Sequence, residues 1–291
     1  MQHHGSTTHV IAGAALALVF TFTAQAQNNR SFVATTGDDT NNCSASAYCR
    51  TFGRALAVTN SGGEIVVVNS GGYGPATISQ PVTITAIGID ASIIATSANA
   101  LTINTTGDVT ITGLNLNGLG IGTNGVHVKA VGVLRLYNMQ IESFTNNGID
   151  FLASGNLDVY NSKINDCGIG LFQNAGQVYV RKSGFDSNNG AGAESDAGTM
   201  AIADSFSHYN TIGFYANGGT MALYNNGAVF NTVGIASAMS GTLYFAHSLL
   251  SGNTQSSSVV EASMFGSSPG TSLVTPGQTT VGTPGMGIVL H

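Results

Sequence analysis

Residues 156–186 read NLDVYNSKINDCGIGLFQNAGQVYVRKSGFD, and two short pairs inside this stretch decide the fold. Leu157/Val159 and Val178/Val180 are apolar residues two positions apart, split by the polar Asp158 and Tyr179. That alternation is the signature of a half-buried strand. The pair recurs in both directions a little over twenty residues at a time, at Val109/Ile111, Leu134/Leu136, Met200/Ile202, Met221/Leu223 and Leu243/Phe245. A second ladder follows in phase: Leu101/Ile103, Val126/Val128, Ile149/Phe151, Ile169/Leu171, Ala191/Ala193, Ile212/Phe214 and Val233/Ile235. A third, weaker one is Leu116, Ile141, Ile164, Phe185 and Leu250. Three period-two strands per repeat, with Asn- and Gly-bearing turns between them and no helical spacing, describe one coil of an all-β parallel solenoid.

Composition agrees. The 291 residues carry 8% charged residues, 39 Gly, 5 Pro and no Trp, which suits stacked coils that lean on their neighbours around one narrow core. The formal net charge is −6, with 8 Lys plus Arg against 14 Asp plus Glu. Such a chain has no polycationic surface to neutralise phosphates, which argues against a nucleic-acid partner.

Residues 1–26 read as an export signal: an apolar run from Val10 to Phe22 precedes Ala24-Gln25-Ala26, a small-x-small cleavage pattern. The mature chain would start near Gln27, be secreted or periplasmic, and carry no membrane span. The alternative is an uncleaved anchor, since residues 1–9 hold no Lys or Arg. Residues 27–63 form an entry segment that includes a capping helix over Thr51–Val58, with Phe52, Ala55 and Leu56 on one side. Its apolar face would cover the open edge of the first coil. The parallel β-helix follows over 64–254, and 255–291 is a Ser-, Gly-, Thr- and Pro-rich tail or irregular end cover. Cys43 and Cys49 stand close in a polar loop and would form a bridge worth about 2 kcal/mol. Cys167, in a slot that other coils fill with Asn or Gly, reads as a buried small residue.

The entry Phe32-Val33-Ala34 with Gly37-Asp38-Asp39, the Cys43/Cys49 pair followed by Arg50-Thr51-Phe52, the export signal and the ladders together resemble secreted bacterial right-handed parallel β-helix proteins of the pectin-lyase-like superfamily. The resemblance covers roughly residues 30–255 by its repeats. It implies a right-handed helix and a polysaccharide or cell-surface glycan as partner, with lyases, hydrolases, epimerases and non-catalytic members all possible. The chain departs from the pattern of the catalytic members. It has no Trp-Ile-Asp-His motif, no Asp cluster inside a coil and no Gly-His-Gly element; its Asp-Asp pair is Asp38-Asp39 in the entry loop. That pair reads as a turn, with a weak calcium loop as the alternative. No other cofactor and no metal site is expected, because His208 and His247 stand alone.

Stacking coils about 4.8 Å apart turns each outward strand position into a column. On the first ladder the columns are Arg135, Asp158, Tyr179, Ala201, Ala222, Tyr244 and Tyr137, Tyr160, Arg181, Ala203, Tyr224, Ala246. Flat phenol rings offer apolar stacking while guanidinium and hydroxyl groups direct hydrogen bonds, so Arg135, Tyr137, Asp158, Tyr160, Tyr179, Arg181, Tyr224 and Tyr244 are the candidate ligand-binding residues. The plainer alternative is a sheet cover with an Arg135–Asp158 ladder ion pair. On the second ladder the columns expected are Thr102, His127, Asp150, Gly170, Gly192, Gly213, Gly234 and Asn104, Lys129, Leu152, Phe172, Glu194, Tyr215, Ala236. A carboxylate one coil from an imidazole, with a lysine beside it, suits proton abstraction next to a uronate, so His127, Lys129 and Asp150 are the candidate catalytic set. The glycines beyond would leave a shallow trough. Asn138, Asn161 and Asn225, with Lys182, Asp204 and His247 in matching slots, mark one bend, and Asn147, Asn189, Asn210, Asn231 and Asn253 mark another, as structural amides. The leading expectation is a glycan-binding β-helix; the others are a polysaccharide lyase or related carbohydrate-active enzyme, and a structural or adhesive surface protein.

Overall fold

The computed structural model describes residue 1, residues 27–238 and 240–259, and the strands Met264–Gly266, Leu273–Val274 and Thr280–Val281. The export-signal stretch therefore lies outside the described residues, as does most of the tail. The chain winds as a parallel β-solenoid with three sheets of eleven, ten and ten strands, each coil adding one strand to each sheet in turn. The first sheet holds the first ladder in the expected register: Leu134 pairs with Leu157, Val178 follows, then Met200, Met221 and Leu243. All are buried. The third ladder is likewise in register, with Leu116, Ile141, Ile164 and Phe185 on successive strands of the third sheet.

The second sheet corrects one expectation. Ile149 pairs with Leu171, not with Ile169, and Ile169 pairs with Asn147. The shift of two residues has a cause inside the core. Gln173 and Ser195 take inward positions there, fully buried, with Ser195 Oγ donating to Gln173 Oε1 at 3.0 Å and Gln173 Nε2 donating to the carbonyls of Ala175, Gly176 and Thr199. An apolar pattern cannot see these two. Gly148, Gly170, Gly192, Gly213 and Gly234 consequently form a buried file instead of an outward trough. A Cβ at Gly170 would meet the Gly192 carbonyl oxygen at 2.4 Å, and one at Gly213 the Gly234 oxygen at 2.3 Å, so only glycine lets the coils stack this closely.

Bends are built by side chains and by handedness. Asn138, Asn161, Lys182, Asp204, Asn225 and His247 all adopt φ between 48° and 55°, the left-handed region where Asn and Asp are the least strained non-glycine residues. A buried amide ladder runs along the other bend, where the N–H of Asn188 donates to Asn210 Oδ1, that of Asn210 to Asn231 Oδ1 and that of Asn231 to Asn253 Oδ1. Asn188 fills the place expected for Asn189, which is exposed. Asn147 sits instead at the start of its strand and donates to Asp150 Oδ1 at 3.1 Å. Cys167 begins the ladder, its N–H donating to Asn188 Oδ1 at 3.0 Å, and burial pushes its thiol up to about 12.

The helix spans Phe52–Val58, capped by Thr51, whose hydroxyl accepts from the Arg54 N–H. It buries Phe52, Ala55, Leu56 and Val58 and packs against Ala76–Ile78, the end strand of the second sheet. That edge is therefore closed to a further strand. The Cys43–Cys49 disulfide is formed, with Cα atoms 4.7 Å apart. Asp38 accepts from the Thr40 N–H and hydroxyl, and Asp39 accepts from the N–H groups of Arg50 and Thr51 and from the Thr51 hydroxyl. Asp38 thus closes a turn within the loop, and Asp39 fastens the loop to the helix start. At the other end, Gln255–Val259 and the three short strands beyond it extend the sheets, so pairing continues past residue 254 into the region expected as tail. No helix among the described residues is long and apolar enough to cross a membrane.

Candidate functional site

On the outer face of the first sheet the two expected columns are in place. Arg135, Asp158, Tyr179, Ala201, Ala222 and Tyr244 follow one another coil by coil, as do Tyr137, Tyr160, Arg181, Ala203, Tyr224 and Ala246. Between the large residues four alanines, 201, 203, 222 and 246, leave a gap in the side-chain layer. The gap is a groove of about 860 Å³, bounded by Arg135, Asp158, Tyr179 and Arg181 on one side and by Tyr224 and Tyr244 on the other. Tyr179, Tyr224 and Tyr244 are 47%, 56% and 43% exposed. The alanines were visible in the sequence as column members, yet their meaning as a floor comes only from what stands around them.

Electrostatics preset the groove's wall. Asp158 pairs with Arg181, whose Nη2 lies 3.4 Å from both carboxylate oxygens. Arg135 turns the other way, toward Asp108 at 3.3 Å, so the expected Arg135–Asp158 pair is replaced by two pairs that hold both guanidinium groups at the surface. Tyr137 and Tyr160 lie beside the main groove in a smaller recess with Thr112, Asn138 and Arg181. Their rings meet edge to face at 6.3 Å, the Tyr137 hydroxyl donates to Asp158 Oδ2 at 3.3 Å, and Arg181 and Lys182 both lie over the Tyr160 ring. Burial and the neighbouring Asp158 charge raise the Tyr137 phenol above its ordinary value.

The second sheet brings His127 and Asp150 together. They occupy paired positions, with Nδ1 and Oδ2 2.6 Å apart and both side chains largely buried. An ionised carboxylate can only accept, so the contact fixes the ring proton on Nδ1 and leaves Nε2 as the acceptor. Lys129 is not part of this pair. It is exposed, at a shift in strand register between Val128 and Ala130. The corrected register then runs from Asp150 to Phe172, Glu194, Tyr215 and Ala236.

This exposes a group that the sequence reading missed as a site. Burial pushes the Glu194 carboxyl up to about 7, aided by neighbouring Asp196. Asn217 Nδ2 donates to both, at 3.2 Å to Glu194 and 3.0 Å to Asp196, while the Tyr215 hydroxyl donates to Asn217 Oδ1. The expected column puts Phe172 and Glu194 in line with Lys129 and Leu152, two residues out of step, which hides their alignment with His127 and Asp150.

No protein-family model matches the sequence, and comparison with curated proteins gives no match. Solved structures do match in shape. The chain superposes on the crystal structure of pectate lyase Pel9A with a TM-score of 0.62 at 14% identity, over 84% of this chain and 80% of that one. For the complex of XylC with xylose the TM-score is 0.59 at 11% identity, over 81% and 68%. For a rhamnogalacturonan lyase it is 0.56 at 13%, over 77% and 74%. The chain thus has the pectin-lyase-like fold, a right-handed parallel β-helix with a short capping helix at its N-terminal end.

Proposed function

We propose that the first-sheet groove binds an extended glycan chain outside the reducing cytoplasm. The observation that carries this is the alanine floor: four small residues on adjacent coils open a groove whose rims are tyrosine rings and paired arginines. Sugar rings present apolar faces to stack on phenols and hydroxyl edges to meet guanidinium groups. Arg135 and Arg181, held at the surface by Asp108 and Asp158, present guanidinium edges that match the carboxylates of an acidic chain. The disulfide fits an oxidising compartment, and the export signal read over residues 1–26 would deliver the protein to it. The glycan-acting names of the fold neighbours point the same way. In affinity electrophoresis through polygalacturonate, Tyr179→Ala with Tyr224→Ala should cut retention by about tenfold, since two stacking rings are lost, with melting unchanged. Retention equal to wild type would overturn this reading.

A second reading rests on the 2.6 Å His127–Asp150 contact. A histidine whose tautomer is set by a carboxylate is equipped to take up a proton at Nε2, and Glu194, about half protonated near pH 7, holds a proton two coils beyond Asp150 on the same sheet. Under this reading the protein is a polysaccharide lyase, and His127→Ala removes formation of unsaturated uronate while polymer retention survives. Absence of such product from wild-type protein on polygalacturonate and rhamnogalacturonan would exclude it.

A further inference from the structure

The third sheet carries an aromatic strip that the first-sheet groove does not use. Phe206 and His208 stack on its outer face at 4.9 Å and 23°. In the bend that follows, Tyr209 and Phe230 of successive coils stack at 5.6 Å and 11°, with 64% and 55% of their surfaces exposed. Both have left-handed backbones, φ 56° and 58°. The same bend slot holds Ser143, Asp166 and Ser187 in earlier coils and Gly252 in the next, all with positive φ. A bulky ring is the least comfortable occupant of that conformation, and these two rings gain no burial in the core. Two glycines make room for the strip: a Cβ at Gly184 would meet the Phe206 ring at 2.6 Å, and one at Gly252 the Phe230 ring at 2.4 Å.

Strained residues held at a surface without a packing reason are a mark of function, and the surroundings indicate which. His208 Nδ1 lies 3.3 Å from Asp186, and Phe206 also lines a groove of about 600 Å³ with Gln140, Lys163 and Lys182. Phe206, His208 and Tyr209 thus lay ring faces across the width of one sheet, and at Phe206 they meet a column of hydrogen-bonding groups, Lys163 and Gln140, that runs along the stack on earlier coils. A broad apolar partner would bury those lysines without a partner. A sugar chain satisfies both, offering C–H faces to the rings and hydroxyls to the polar groups.

We infer that this strip is a second carbohydrate-binding site, which takes a chain of neutral pyranose rings across the third sheet. It shares no residue with the first-sheet groove, so the two sites stand or fall separately. The test is affinity electrophoresis through xylan with wild type, Tyr209→Ser with Phe230→Ser, and Tyr179→Ala with Tyr224→Ala. Serine is already the bend residue at 143 and 187, so the first variant should melt no lower than wild type. It should lose xylan retention by about tenfold, while the first-sheet variant keeps it. If only the first-groove reading is wrong, polygalacturonate retention ignores Tyr179 and Tyr224, while the xylan loss at Tyr209 and Phe230 persists. The inference is overturned if the bend variant is retained on xylan like wild type, or if wild type is not retarded by xylan. It is also overturned if wild type is a dimer that the bend variant converts to monomer, which would assign the rings to a second copy of the chain.

Discussion

At the scale of the residue, the tightest constraints are a glycine, an amide and a carboxyl. Gly170→Ala would drive a Cβ to 2.4 Å from the backbone oxygen of Gly192, and backbone cannot step aside as a side chain can. A loss of about 1–3 kcal/mol, as for overpacked cores, should appear in denaturant melts; a neutral result would mean that the coils are spaced more loosely than described. Asn210 accepts from the N–H of Asn188 and donates to carbonyls in its own coil and the one before, so Asn210→Ala leaves several buried groups unpaired, at about 1–3 kcal/mol for an unsatisfied group. Glu194 brings a pH dependence. Its folded value, about 7, lies above the usual 4.5. Between those values the folded state holds a proton that the unfolded state has released, so stability should fall as pH rises from 4.5 to 7 and level off above. Glu194→Gln should flatten that slope in melts at pH 5, 6 and 7.5. A variant with the wild-type slope would show that Glu194 is not the group responsible.

At the scale of the element, strand alternation fixes which side chains face in. Ile202 is buried between Val180 and Leu223, whereas Ala203 lies on the outer face as part of the groove. Ile202→Asp should unfold the central coils because it places an unpaired charge in a dry stack; Ala203→Asp should melt within about 0.5 kcal/mol of wild type. Equal damage from both would reverse the register. Much of this was legible beforehand. The first ladder is apolar at every inward position from Val109/Ile111 to Leu243/Phe245, and the third is so from Leu116 to Phe185 before Ser207 takes the inward place, so over those coils pattern and pairing agree. The second failed where Gln173 and Ser195 sit inside the core and satisfy each other, since inward polar residues look outward to any apolar count. That single slip turned a buried glycine file into an imagined trough and hid Glu194. The bends were legible as Asn slots, but Tyr209 and Phe230 were not, because their side chains give no hint of a left-handed backbone.

At the scale of the whole molecule, function depends on what the stack displays. A solenoid repeats one outline coil after coil, so a groove arises only where the outline is interrupted, and here it is interrupted by alanines between tyrosines on adjacent coils. The first-sheet columns could be read from sequence to the residue, while the pairing of Arg135 with Asp108 and of Asp158 with Arg181 could not, because long side chains choose among several neighbours. Filling the groove while leaving its rims intact tests the binding claim most directly. Ala222→Trp puts a large ring on the floor at an outer position, where it should not disturb the core. The measurement is the dissociation constant for polygalacturonate, wild type against Ala222→Trp, with melting temperature as the control. The groove as binding site predicts a loss of about tenfold or more at unchanged melting temperature; equal affinity in the two proteins would contradict it.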